Sequence, residues 1–179
     1  LPSELNNALL SLSAIIKGSM HPGYIVTANS VTLGVTRRNQ AGYKQIKLQP
    51  KAGVSGDWST EPGCFGFPKI SGYGAICGHM LVDTGIKYMI LGLPVARRPA
   101  PIANGTIPNG TRIAIHAPKN TGSALSSDFT VGDGAPATPA AVRWANDKQA
   151  FFNTGRNLIA KFRYLFDAGS GKVGFKRSI

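Results

Sequence analysis

The sequence predicts an all-β domain with a few short helices, and three observations carry that prediction. Short apolar runs rich in β-branched and aromatic residues recur along the chain, each of strand length. Two of them, Tyr43-Lys44-Gln45-Ile46-Lys47-Leu48 and Thr111-Arg112-Ile113-Ala114-Ile115, alternate apolar with polar positions, the period of a half-buried strand. The 22 glycines and 12 prolines are scattered among the runs rather than periodic, which gives many turns and excludes a collagen-like chain.

In chain order, Ser3 and Glu4 precede an apolar set at Leu5, Leu9, Leu12 and Ile16. That spacing predicts one short amphipathic helix ending at Gly18. Tyr24-Ile25-Val26 and Val31-Thr32-Leu33-Gly34-Val35 are strands around a polar turn, and the alternating run from Tyr43 stops at Pro50. Residues 51–75, rich in Gly, Ser and Pro, are expected to form a long irregular loop. Two apolar segments, Met80-Leu81-Val82 and Tyr88-Met89-Ile90-Leu91, then flank a polar tripeptide. Asn104-Gly105 and Asn109-Gly110 are hairpin-turn signals, since both residue types tolerate positive φ. Each is followed by Thr and so also matches a glycosylation sequon, a coincidence the turn reading does not need. Phe129-Thr130-Val131-Gly132 is a strand and residues 133–141 a Gly/Ala/Pro connector. Leu158–Phe166 is a strand or a helix-to-strand segment. Gly169-Ser170-Gly171 turns the chain into Val173-Gly174-Phe175.

The chain has 179 residues and 42% hydrophobic content, enough for one good core, so a single domain over 1–179 is expected. No apolar stretch is long enough for a transmembrane helix. The charge is +12, from 20 basic and 8 acidic residues, which favours acidic surfaces. The basic residues are spread, as at Arg37-Arg38, Arg97-Arg98 and Lys176-Arg177. This argues for a generally basic surface over a dedicated nucleic-acid site. Trp58 and Trp144 lack basic–aromatic interleaving and read as core or cleft-wall residues. Cys64 and Cys77 are compatible with one disulfide closing a short loop, or with two free thiols. With His79 they lack paired metal-ligand spacing, so no metal site is expected. The chain starts at Leu1-Pro2-Ser3 without methionine, which reads as a processed product or a fragment.

The chemistry-bearing motif is Asp83-Thr84-Gly85, the tripeptide between the two apolar segments. A lone carboxylate there is normally expelled, because burying it is costly. By itself Asp-Thr-Gly is weak, arising by chance in roughly one chain in thirty of this length. Asp57, Asp128, Asp133 and Asp147 lie in loop-like contexts and read as solvated. Asp167-Ala168-Gly169-Ser170 imitates a second motif, but its turn glycines place it at a surface hairpin. A Ser-His-Asp site is not expected, since no Gly-x-Ser-x-Gly elbow occurs.

The C-terminal third adds a second signal. Phe151-Phe152-Asn153-Thr154-Gly155, then Leu158 through Phe166-Asp167, then Val173-Gly174-Phe175, follow the motif in order. Together they resemble the C-terminal lobe of a pepsin-like aspartic protease, of divergent bacterial type, over about residues 80 to 176. Leu1–Leu48 is consistent with the start of such a lobe. In that family an apolar-apolar-Gly element crosses behind the catalytic loop, and the closing segment contains a strand ending in Phe-Asp, a turn and Val-Gly-Phe.

The resemblance implies a single pepsin-like lobe acting as half of an aspartic endopeptidase. Asp83 would be one of two aspartates that share a proton and bind the attacking water. Thr84 would lock the loop to its counterpart, Gly85 would permit the turn, and Gly155 would lie in the crossing segment. The substrate would be an extended peptide, with no metal or organic cofactor. The second aspartate would come in trans, from an absent N-terminal lobe or a second copy of the chain, with the lobe favoured. The expected setting is secreted or periplasmic. Two departures stand out. Ile86 occupies the place where the family has Ser or Thr, whose hydroxyl supports the outer carboxylate oxygen, and Asn153-Thr154 replace apolar residues before Gly155. Two rival functions follow: a catalytically eroded pepsin-like module that binds or inhibits, and a basic coat-like protein that binds anionic polymers.

Overall fold

A computed structural model of the chain describes residues 1–2, 7–11, 15, 20–119 and 121–178. The molecule is all-β. Its strands among the described residues are β1 (His21–Val26), β2 (Val31–Val35), β3 (Lys44–Lys47), β4 (Glu61–Gly66), β5 (Ile76–Leu81), β6 (Met89–Gly92), β7 (Arg112–Ala117), β8 (Leu125–Thr130), β9 (Val142–Ala145), β10 (Phe151–Asn153), β11 (Phe162–Asp167) and β12 (Lys172–Arg177). Short 3-10 segments occur at Val95–Arg97, Ala100–Ile102 and Arg156–Ala160. The helix expected over Ser3–Gly18 lies largely outside the described residues. Of its apolar set only Leu9 is described, and it is exposed. A turn closed by the Leu10 N–H on the Asn7 carbonyl accompanies burial of Leu10 instead. No helix among the described residues is long and apolar enough to cross a membrane.

The chain divides into two compact units, residues 1–60 with 162–179, and residues 61–161. The first holds the antiparallel sheet β2-β1-β11-β12-β3. Alternation explains its two faces. Tyr24 pairs with Phe166 and Tyr164 with Phe175, and each pair brings its rings to 5.6 Å. One residue along, Ile25 and Leu165 turn to the opposite face and pack with Val35 and Tyr43. Asp167 ends β11 as expected but is buried rather than at a solvated surface: its carboxylate accepts the N–H and the hydroxyl of Ser170 and pins the turn into β12. Trp58 covers that turn and donates its indole N–H to the Ala168 carbonyl at 2.8 Å. Asp57, expected to be solvated, is also buried. Its carbonyl accepts the Lys51 N–H, and its carboxylate lies 4.0 Å from the Lys51 ammonium.

The second unit holds the mixed sheet β8-β7-β4-β5-β10-β6-β9. The long loop expected over 51–75 is corrected by β4, which pairs with β5 on one side and β7 on the other. Its glycines disguised it. They are there for close approach rather than for turning: a β-carbon on Gly66 would lie 1.9 Å from the Gly74 carbonyl oxygen. Cys64 and Cys77 face each other across this pair and are joined in a disulfide. Both Asn-Gly dipeptides turn with positive φ at the glycine, but neither joins adjacent strands as a hairpin. Gly110 donates its N–H to Val131, and the Gly105 carbonyl accepts from Trp144. Asp128 is not in a loop: it sits on β8 and pairs with Arg112 at 2.7 Å. The core is aromatic, with Phe65 at 5.7 Å from Phe152 and Phe67 at 5.9 Å from Trp144.

Candidate functional site

The strand that builds the site arrives late in sequence. β10 inserts between β5 and β6, parallel to β5 and antiparallel to β6, with Asn153 level with Leu81 on one side and Ile90 on the other. β5 and β6 are thus the arms of a loop, residues 82–88, whose base is spread by an interposed strand. The apolar sequence Phe151-Phe152 explains the insertion, since Phe152 is fully buried within the unit.

Past β10 the chain is stitched along that loop. Thr154 donates its N–H to the Leu81 carbonyl at 2.9 Å, Arg156 to Ile86 at 2.9 Å, and the Asn157 amide to Lys87 at 2.9 Å. Gly155 makes the approach possible. Its φ is 62°, and a β-carbon there would fall 2.5 Å from the Tyr88 carbonyl oxygen.

Asp83 sits at the mouth of the loop, half-buried, while Thr84 and Gly85 are exposed and Ile86 is half-buried. Its carboxylate is fixed at both oxygens. Oδ1 accepts the Gly85 N–H at 2.8 Å, and Oδ2 accepts from the side-chain amide of Asn153 at 2.9 Å. Asn153 is buried, and its own carbonyl oxygen accepts the Gly155 N–H at 2.9 Å. The Thr84 hydroxyl makes no hydrogen bond among the described residues. The arrangement presents an oriented carboxylate beside the exposed Thr84 on an accessible loop, able to hold water or meet a partner group. Both protein partners of the carboxylate are N–H donors, so no second carboxylate shares a proton with Asp83 among the described residues.

The structure brings together Asp83, Thr84, Gly85 and Gly155. It keeps Cys64 and Cys77 apart from them as a covalent tie between β4 and β5. Sequence reasoning gave Asn153 no role beyond a blemish in an apolar element. The signal was there: an amide at a strand position flanked by apolar runs needs a polar partner.

No family model matches the chain, and no curated protein matches it. Among solved structures it is similar to basic 7S globulin from soybean, at 12% identity with a TM-score of 0.48. The alignment covers 89% of this chain and 51% of that one, so the chain spans about half the length of that structure.

Proposed function

We propose that the chain is a pepsin-like lobe that supplies Asp83 to a water-activating pair of carboxylates and cleaves peptide bonds. The observation that carries this reading is the crossing of β10 between β5 and β6, with its continuation bonded along the Asp83 loop. The family resemblance calls for such a segment behind the catalytic loop, at the place where the sequence has Gly155. The exposed Thr84 and the half-buried Asp83 suit completion by an equivalent loop, from a second lobe or a second copy of the chain.

Two carboxylates about 3 Å apart cannot both ionise, so the pair holds one proton. One carboxylate takes a proton from water as its oxygen bonds to the peptide carbonyl carbon. The other gives a proton to the carbonyl oxygen. Collapse of the tetrahedral species breaks the C–N bond: the carboxyl that took the water proton gives it to the leaving amine, and a hydroxyl of the tetrahedral species returns a proton to the other carboxylate, restoring the one-proton pair. The titration belongs to the pair as a whole. Peptide cleavage by the full-length encoded protein at acidic pH, compared with Asp83→Asn, tests the reading. Loss of general acid–base chemistry lowers kcat on the order of a hundred- to ten-thousand-fold. Undiminished cleavage by the variant rejects it. Ile86 favours a second reading, the same lobe as a peptide-binding module without turnover. Saturable peptide binding with no cleavage by either protein selects it.

A further inference from the structure

We infer that Asn153 is the positioning residue for Asp83, fixing the orientation of its side chain for the carboxylate pair; this rests on the proposed protease reading. The orientation of the Asn153 amide follows from its surroundings. The Gly155 N–H can only donate, so the amide oxygen faces it at 2.9 Å, and the NH2 group is left facing Asp83 Oδ2 at 2.9 Å. Asp83 Oδ1 meets the Gly85 N–H at 2.8 Å. Each oxygen of Asp83 therefore points at a donor with no lone pair to offer. Two donors, one on each oxygen, fix the rotation of the Asp83 side chain.

A structural role for Asn153 accounts for less. The crossing segment is already held by the β10 pairings and by the bonds from Thr154, Arg156 and Asn157 to Leu81, Ile86 and Lys87. The Asn153 side chain adds two ties, one within the segment from the Gly155 N–H and one to the carboxylate. A buried amide is costly unless both ends are paired, and the end unused by Gly155 is committed to Asp83. The amide thus supplies a donor to a carboxylate whose loop carries Ile86 where the family has a hydroxyl.

Two variants of the full-length protein test this, with Asp83→Asn as the control on the underlying reading. Asn153→Leu removes the donor. Its kcat, normalised to titrated active sites, is expected to fall about ten- to a hundred-fold, with KM within about twofold of the native value. Asn153→Asp keeps the shape and can donate only while its new carboxyl is protonated. Its kcat relative to the native protein is expected to fall as pH rises through the carboxylate range, while the ratio for Asn153→Leu stays flat. Native kcat per site in Asn153→Leu, or a pH-independent ratio in Asn153→Asp, overturns the inference while leaving the protease reading intact. Cleavage that survives Asp83→Asn overturns the reading itself. If Asn153→Leu does not fold, the Asn153→Asp ratio decides alone.

Discussion

Gly155 has little latitude on two counts. Its backbone is left-handed, and the space where a side chain would start is filled by the Tyr88 and Ile86 carbonyl oxygens at 2.5 and 3.1 Å. Alanine would meet an unfavourable φ and backbone that cannot rotate away. Gly155→Ala is therefore expected to cost at least about 2 kcal/mol in urea unfolding and to lower cleavage in step with the distortion of the Asp83 loop. The conservative change Thr84→Ser keeps the hydroxyl and serves as the control. At this scale the Asp83-Thr84-Gly85 tripeptide stands out in the sequence as a local motif, and Gly155 is singled out only by the family resemblance. Asn153 does not stand out, because its meaning lies in a partner 70 positions away.

Among the elements, the alternating strands announced themselves. β3 and β7 lie where the pattern put them, since one face of each is buried and the period-two signal survives. β4 did not, because Pro62, Gly63 and Gly66 read as loop chemistry while the structure uses glycine to let neighbouring backbone in. The crossing of β10 was foreseeable only through the family resemblance; no local pattern says that a three-residue strand will enter between two earlier ones. The turn after β8 gives an element-scale prediction. Asp133 accepts from the Thr138 hydroxyl first, then from the Ala135 and Thr130 N–H groups, and these bonds hold its carboxyl below the ordinary carboxylate range. A carboxyl with a depressed folded value contributes stability above its unfolded value and loses it as pH falls through the folded one. Asp133→Asn should thus be less stable than the native protein near neutral pH. The gap should close as pH drops below the ordinary carboxylate range, measured by thermal unfolding across a pH series.

For the molecule as a whole, the Cys64–Cys77 bond is the main covalent constraint on the second unit, closing a loop of sequence separation 13. Replacing both cysteines by alanine is expected to cost about 2–4 kcal/mol in urea unfolding. Reductant should produce the same shift in the native protein and none in the double variant. Composition had bounded the whole correctly in one respect: scattered glycine and proline imply many short strands, and the chain has them. It could not say that residues 61–161 would gather as one compact unit while the flanking segments 1–60 and 162–179 form another. That division depends on which strands pair, a long-range property that no window of the sequence contains.

The interposed position of β10 also sets an order of events during synthesis. Until residues 151–153 leave the ribosome, β5 and β6 have an unfilled slot between them, with bare peptide groups on each side. The same three residues bring in the amide that holds Asp83. A nascent chain cut short before that point therefore presents sticky edges and a slack acid at once. Closure of the gap in the sheet and fixing of the Asp83 carboxylate therefore come together, once residues 151–153 have been made.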